Sequence, residues 1–371
     1  MKLTLIAGEP SGDRLGAALM AGLKTLAPGV QFHGIGGPLM QAEGLVSLFA
    51  MEELSVMGIA EILPKYRALK RRIAQTAAAT LAENSSALIT IDSPDFCLRV
   101  AKIVKSARPT LKTIHYVAPS VWAWRPGRAA KMARYIDHVL ALLPFEPPLM
   151  TAHGMSCDFV GHPVVAEPLA PRTPQANPLI LALPGSRRAE VKRLAPTIGA
   201  TLSLIKTHYP DTEVALPTVR GVADLVQNLT RTWPILPRII TDQDEKRAAF
   251  ANATVAIAAS GTVSLELAAN ACPMVIAYRL HPITHWLMQR AALIDTVTLV
   301  NLVSNTRAIP EFLGPDCRAD LIANAVLPLM QPGPARAVQL KAMDSTMDRL
   351  GRGGEAPNLR AARSILKVIG P

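Results

Sequence analysis

Residues 2–26, KLTLIAGEPSGDRLGAALMAGLKTL, decide the fold class. Residues 2–7 form a short apolar run, and Glu9 to Asp13 lie in a Gly/Ser/Asp turn. From Arg14 onward Leu15, Leu19, Leu23 and Leu26 recur on one face of a helix. Strand, turn and helix in that order then repeat. Apolar strands are predicted at 31–35 (ending at Gly36-Gly37), 87–91 (ending at Asp92), 112–117 and 138–142. Short, nearly continuous apolar strands between helices imply a parallel sheet covered on both faces. The Pro-rich stretch 167–178, EPLAPRTPQANP, has no apolar period and reads as a linker. A second alternation follows, with strands at 179–183, 213–216, 239–241, 254–258 and 273–277. The tail reads as one or two helices broken at Gly351-Arg352-Gly353-Gly354. The expected architecture is α/β: two doubly wound, Rossmann-like domains, 1–167 and 168–345, followed by a helical segment 346–371. Such sheets bind ligands at the carboxyl ends of their strands, so a cleft between the domains is the expected site.

The chain has 371 residues, 50% of them hydrophobic and 18% charged. That composition excludes a disordered chain. The net charge of +11, with a pI near 9.7 and a mean hydropathy of +0.24, points to an anionic partner: nucleic acid, anionic lipid or a phosphorylated substrate. Nucleic acid is disfavoured, because aromatic residues make up only 4% and no nucleic-acid motif occurs. No run approaches the roughly 20 apolar residues of a spanning helix. The N-terminal apolar run enters a Gly/Ser/Asp turn instead of a cleavage site, so no signal peptide is expected. Cys97, Cys157, Cys272 and Cys317 are far apart, with no CxxC pair, which predicts a reduced compartment and no zinc or iron–sulfur site.

The turns after the strands carry the candidate chemistry. In the first, Gly8-Glu9-Pro10-Ser11-Gly12-Asp13, acids stand where a dinucleotide pyrophosphate would lie, which disfavours NAD; Ser11 or Asp13 either caps the helix or meets a ligand. Gly36 belongs to a second close-approach loop. Asp92 ends an apolar strand and is placed to act as a general base toward a hydroxyl nucleophile. The segment 115–125, HYVAPSVWAWR, offers His115, Ser120, Trp124 and Arg125, and between Asp95 and Asp137 there are nine Lys/Arg and no acid. His115 reads equally as a core residue. Val56, Met57, Ile59, Ile62 and Leu63, beside Lys65, Arg67, Lys70, Arg71 and Arg72, have the pattern of an interfacial helix with its cations on headgroups, or of a core helix with a solvated basic end. In the second half, Gly185, Ser186 and Arg187 follow one strand, and Ser260, Gly261 and Thr262 follow another, with Glu266 beyond them. Backbone N–H groups and a guanidinium suit a diphosphate, and a carboxylate in the next helix suits a ribose. There is no GxxxxGK[ST], so ATP hydrolysis is not indicated.

In order along the chain, AGEPSGD (7–13), GIGGPLM (34–40), MEELSVMGIAEILP (51–64), IDSPDF (91–96), HYVAPSVWAWR (115–125), LPFE (143–146), FVGHP (159–163), LPGSRRAEV (183–191), ASGTVSLE (259–266) and CPMVIAYR (272–279) resemble the bacterial lipid A disaccharide synthases, inverting glycosyltransferases of the GT-B fold. The NL (301–302) and PEFL (310–313) pairs extend the resemblance. It implies transfer of 2,3-diacylglucosamine from UDP to the 6-hydroxyl of 2,3-diacylglucosamine 1-phosphate (lipid X), giving a β-1,6-linked disaccharide 1-phosphate. It also implies an acceptor- and membrane-binding first domain, a UDP-sugar-binding second domain, and a last helix packed back on the first. By the same resemblance Asp92 is the base, with Glu9 an alternative acid; Arg187 is a diphosphate ligand, Glu266 a ribose ligand, and Asn301 lies near the donor pocket. No cofactor or catalytic metal is implied. The expected location is the cytoplasmic face of the inner membrane, held peripherally by anionic lipids. Another UDP-sugar transferase with a lipid acceptor, and a sugar-nucleotide epimerase, are the competing readings.

Overall fold

The computed structural model of the chain describes residues 1–54, 59–279 and 292–370, and only the backbone of 59–66. The chain forms two compact units, residues 1–166 with 353–371, and residues 167–352.

The first unit holds a seven-stranded sheet of β1 (Lys2–Ala7), β2 (Gln31–Ile35), β3 (Val46–Ser47), β4 (Ala87–Ile91), β5 (Lys112–Tyr116), β6 (His138–Ala141) and β7 (Ser156–Phe159), in the order β3-β2-β1-β4-β5-β6-β7. The described pairings are parallel, and β4, at the centre, is buried along its whole length. A strand buried on both faces needs apolar residues at every position, which is why ALITI reads as a run and not as an alternation. Register brings Ala7 beside Ile91, and Ile91 beside Tyr116. The turns leaving β1, β4 and β5 therefore emerge side by side.

The second unit repeats the plan with six parallel strands: β8 (Leu179–Leu183), β9 (Glu213–Pro217), β10 (Arg238–Ile240), β11 (Val255–Ala258), β12 (Met274–Tyr278) and β13 (Glu311–Leu313), ordered β10-β9-β8-β11-β12-β13. Leu183 pairs with Ala258, so the turns after β8 and β11 are neighbours. The linker lies along this unit: Arg172 donates to the carbonyls of Asn270 and Ala271, and the Thr173 amide donates to Asn252.

Three strands escape the sequence reading. β3 has two residues, β7 (SCDF) is a polar edge strand, and β13 has three residues. None is long enough or apolar enough to stand out. The first helix spans Pro10–Leu26, starting earlier than the apolar period, because Pro10 is pre-set for the first helical position. The boundary expected at 345/346 falls inside the continuous helix Pro334–Arg349. The chain leaves the second unit at Arg352. The last helix, Pro357–Ile369, packs on the helix Pro10–Leu26 and buries Ala361, Ala362 and Ile365 in the first core. Arg360 donates to the Phe159 carbonyl at 2.6 Å, and Ser364 bonds both Asp158 (2.7 Å) and the buried His138 (2.8 Å).

Among the expected membrane-facing residues, Val56 and Met57 lie outside the described residues, and the side chains of Ile59, Ile62, Leu63 and Lys65 do as well. Arg67, Lys70 and Arg71 are exposed on the helix Ile59–Ala82. Arg72 is committed within the fold: it grips Glu53 and stacks 4.3 Å from the Phe49 ring centre. No helix among the described residues is long and apolar enough to cross a membrane.

Candidate active site

In the first unit the candidate residues gather at the ends of β1, β4 and β5. Asp92 (φ 50°) and Ser93 (φ 42°) take left-handed backbone in succession, and Val117 after β5 has φ 82°. Left-handed backbone is uncommon outside glycine, and for a β-branched residue it is an outlier. Each such residue stores about 1–3 kcal/mol of strain, which the surrounding structure must hold in place. The conformation turns the chain sharply out of β4, with the Asp92 amide still bonded to the Tyr116 carbonyl at 2.9 Å. The Asp92 carboxylate accepts from the Ser11 hydroxyl and the Ser93 amide. Burial pushes its pKa above the usual carboxylate range, and those two bonds pull it part of the way back. A half-buried carboxyl raised in this way is a better proton acceptor than a solvated one. Glu9 is exposed at the N-cap of the first helix, close enough to act electrostatically on Cys97 together with Asp92. Ser11 and Asp92 thus meet from 81 positions apart in the chain, with Glu9 nearby.

Other first-unit candidates have structural jobs. Asp13 is 3% exposed, and its carboxylate accepts from the amides of Gly37 (2.9 Å), Leu39 (3.1 Å) and Met40 (3.0 Å). It fastens the second turn to the first helix; charge-assisted bonds of this kind contribute about 1.5–3 kcal/mol each. Gly36 is buried, and any side chain there would strike Leu45 and Met40. His115 is 1% exposed, bonded to Thr90 at 2.8 Å, and burial drops its pKa to about 4. It is a neutral histidine enclosed in the core, which is one of the two readings the sequence offered for it. Ser120, Trp124 and Arg125 lie exposed on the loop after β5, with Arg125 stacked 4.1 Å from the Trp124 ring.

A residue without a role in the sequence reading anchors that loop. Glu146, 4% exposed, accepts from the Trp122 indole (3.1 Å) and the Leu143 amide (3.0 Å). Burial lifts its pKa to about 7. A lone acid in LPFE carries no signal that it will be enclosed.

In the second unit the turns after β8 and β11 border a cavity of about 470 Å³. Gly185, Ser186, Arg187, Ser260, Gly261, Thr262 and Glu266 all line it. The helix Arg188–Lys206 opens there, capped by Arg187 and Glu190: the Arg187 amide donates to Glu190 at 3.3 Å, and its guanidinium does so at 2.9 Å. Arg187 remains 65% exposed, and a helix N-terminus beside an exposed guanidinium suits an anion. Gly185 takes φ 110°, and a Cβ there would come within 2.6 Å of the Glu190 carboxylate. Glu266 lies in the first turn of the helix Val263–Ala269, nearer its start than the sequence suggested. Its partner is Lys246, at 2.5 Å, which the sequence reading did not select. Ser260 donates to the Val297 carbonyl (3.2 Å), which braces the second turn.

Asn301 is enclosed as His115 is. It is 1% exposed, and its amide donates to Ile309 (2.9 Å), Thr296 (3.2 Å) and Glu311 (3.3 Å) and accepts from the Ile309 amide (3.0 Å). These bonds belong to a knot around Glu311, which also accepts from the amides of Val297 and Thr298 and so holds residues 296–298.

A family model described as lipid-A-disaccharide synthetase matches residues 3–364. The lipid-A-disaccharide synthase of Ruegeria pomeroyi is 57% identical, over 99% of this chain and 95% of that one. That of Rhodospirillum centenum is 47% identical, over 98% and 94%. Among solved structures, UDP-GlcNAc 2-epimerase from Neisseria meningitidis, bound to UDP-GlcNAc, superposes with a TM-score of 0.65 at 11% identity over 99% of both chains. MurG from Acinetobacter baumannii superposes with a TM-score of 0.60 at 13% identity, over 99% and 98%. At such identities these two speak for the fold alone, whereas the sequence matches span nearly the whole chain at high identity. The chain therefore belongs to the lipid-A-disaccharide synthase family and is a glycosyltransferase of the GT-B fold.

Proposed function

We propose that the chain joins two acylated glucosamines, moving 2,3-diacylglucosamine from UDP to the 6-hydroxyl of 2,3-diacylglucosamine 1-phosphate with inversion at the anomeric carbon. The bond from that carbon to the UDP oxygen breaks as the bond to the acceptor oxygen forms. Asp92 takes the hydroxyl proton, and UDP departs carrying the electron pair. The turn Gly185–Arg187 and its helix hold the departing diphosphate, and Glu266 accepts from the ribose hydroxyls. The acceptor and the anionic membrane surface meet the first unit. The exposed cations Arg67, Lys70 and Arg71, beside the apolar stretch 54–64, support a peripheral contact with the inner membrane's cytoplasmic face. The observation that carries the acid–base assignment is the strained Asp92–Ser93 turn, which aims a half-buried carboxyl with a raised pKa out of the central strand.

The test is to supply UDP-2,3-diacylglucosamine and 2,3-diacylglucosamine 1-phosphate in detergent micelles, with EDTA, and read products by mass spectrometry. A disaccharide 1-phosphate with stoichiometric UDP is the expected result. UDP binding without product would overturn the acceptor assignment and turn the search to other lipid acceptors.

A further inference from the structure

The cavity of the second unit holds a carboxylate in an awkward place. Glu266 stands in the first turn of its helix, beside Ser260, Gly261 and Thr262, where an anionic ligand would be repelled by it. The repulsion is answered from another element. Lys246, on the helix Gln243–Asn252, meets Glu266 Oε2 at 2.5 Å, and both side chains are 30% exposed on the cavity wall. Two features hold Lys246 in place. Its ammonium lies 5.1 Å from the centre of the Phe250 ring, one turn along the same helix. The start of that helix is fixed by Asp242, whose carboxylate accepts from the amides of Asp244 and Glu245, each at 2.9 Å. The bond therefore does two things. It cancels the charge of Glu266 toward an anion, and it commits one carboxylate oxygen, so that the lone pairs of Oε1 are left for a ligand's hydroxyls.

We propose that Lys246 is a positioning residue that orients and neutralises Glu266, and through it sets the preference of the cavity for a ribose bearing both hydroxyls. This rests on the reading of the cavity as the UDP pocket. Lys246 touches neither reacting sugar, so its removal acts on donor affinity and ribose discrimination more than on the chemical step.

The experiment titrates UDP and 2′-deoxy-UDP calorimetrically into the full chain and its Lys246→Met and Lys246→Arg variants, with thermal midpoints in parallel. For the wild type, UDP binds more tightly than 2′-deoxy-UDP. In Lys246→Met, UDP weakens about tenfold, about one factor of 1.4 kcal/mol, while 2′-deoxy-UDP weakens less, so the ratio of the two narrows. Lys246→Arg, which keeps the cation, restores most of the ratio. A ratio in Lys246→Met equal to that of the wild type overturns the proposal, whether or not overall affinity falls, because a merely structural loss weakens both ligands alike. Should Lys246→Met melt early, Lys246→Gln gives the same comparison with a polar tip. A wild type that binds no UDP overturns the pocket reading itself, and one that binds both nucleotides equally removes Glu266 as a ribose ligand.

Discussion

The two units share a plan, parallel strands whose exit turns carry the candidate residues, yet they build those turns from different residues. Leaving β4 and β5, the first unit places Asp92, Ser93 and Val117 in left-handed backbone. Leaving β8 and β11, the second unit uses Gly185 (φ 110°) and Gly261 (φ 147°). Glycine takes such angles without steric penalty, whereas other residues take them under strain. Under the proposed roles, the difference follows from what each turn presents. A diphosphate is held by backbone N–H groups, so a turn without side chains serves it best. A proton acceptor is a side chain, so the first unit must keep Asp92 at the bend and accept the strain.

The comparison breaks first at Asp92. Asp92→Asn keeps shape and hydrogen bonding but removes the basic oxygen. Turnover should fall about 10²–10⁴-fold, with UDP affinity within about twofold of the wild type. A variant turning over at near the wild-type rate would leave Glu9, or another acid, as the base.

The second unit's turn breaks by the opposite change, adding a side chain. Gly185→Ala puts a Cβ against the Glu190 carboxylate at positive φ. UDP affinity should drop about tenfold or more, an amount near 1.4 kcal/mol, with turnover at saturating donor much less affected. Arg187→Ala should weaken UDP by a similar or smaller factor. Unchanged UDP titrations in both variants would remove this turn from the site.

Ionisable groups away from solvent sharpen the contrast, because the first unit encloses Glu146 (pKa about 7) and His115 (about 4) and half-buries His162 (about 4). Glu146 has a folded pKa above its ordinary 4.5, so between about pH 4.5 and 7 the fold holds a proton that the unfolded chain has lost. Its contribution to stability is therefore lost as pH rises through that window. The histidines act oppositely: depressed from 6.5, they favour the fold above that pH and cease to do so as pH falls toward 4. Glu146→Gln removes only the first effect. The stability of the variant relative to the wild type should improve by about 1–3 kcal/mol between pH 5 and pH 8, whatever constant offset the amide brings. Thermal melts at the two pH values read this directly, and a difference independent of pH would refute it.

The smallest effect is expected at Ser93, whose buried hydroxyl has no hydrogen-bond partner among the described residues. Ser93→Gly removes that group and the left-handed strain, against about 0.5–1 kcal/mol of added chain entropy. The melting point should rise by a few degrees, about 1 kcal/mol, while turnover falls because Asp92 is held less firmly. A variant both more stable and fully active would show that the strain at this turn has no catalytic use.

How much of this could be read from the chain depended on the range of each interaction. Ten strands were legible because burial on both faces writes an unbroken apolar run into the local sequence, and the linker because it has none. The turns that end those strands were legible for the same reason, since Gly185, Arg187, Gly261 and Asp92 each follow a run. β3, β7 and β13 were not, being short or polar and defined by a neighbour's hydrogen bonds. His115 and Asn301 have the same sequence signal whether they face a ligand or the core of their own unit. Enclosure among packed neighbours is what the local sequence does not record. Lys246 and Glu146 gave no local sign, since their importance comes from partners 20 and 24 residues away. The sequence by itself therefore determined the alternation, the family and the turns, because those depend on neighbours along the chain. The tertiary structure alone decided which polar side chains are free to act, because that depends on what packs around them across the sheet.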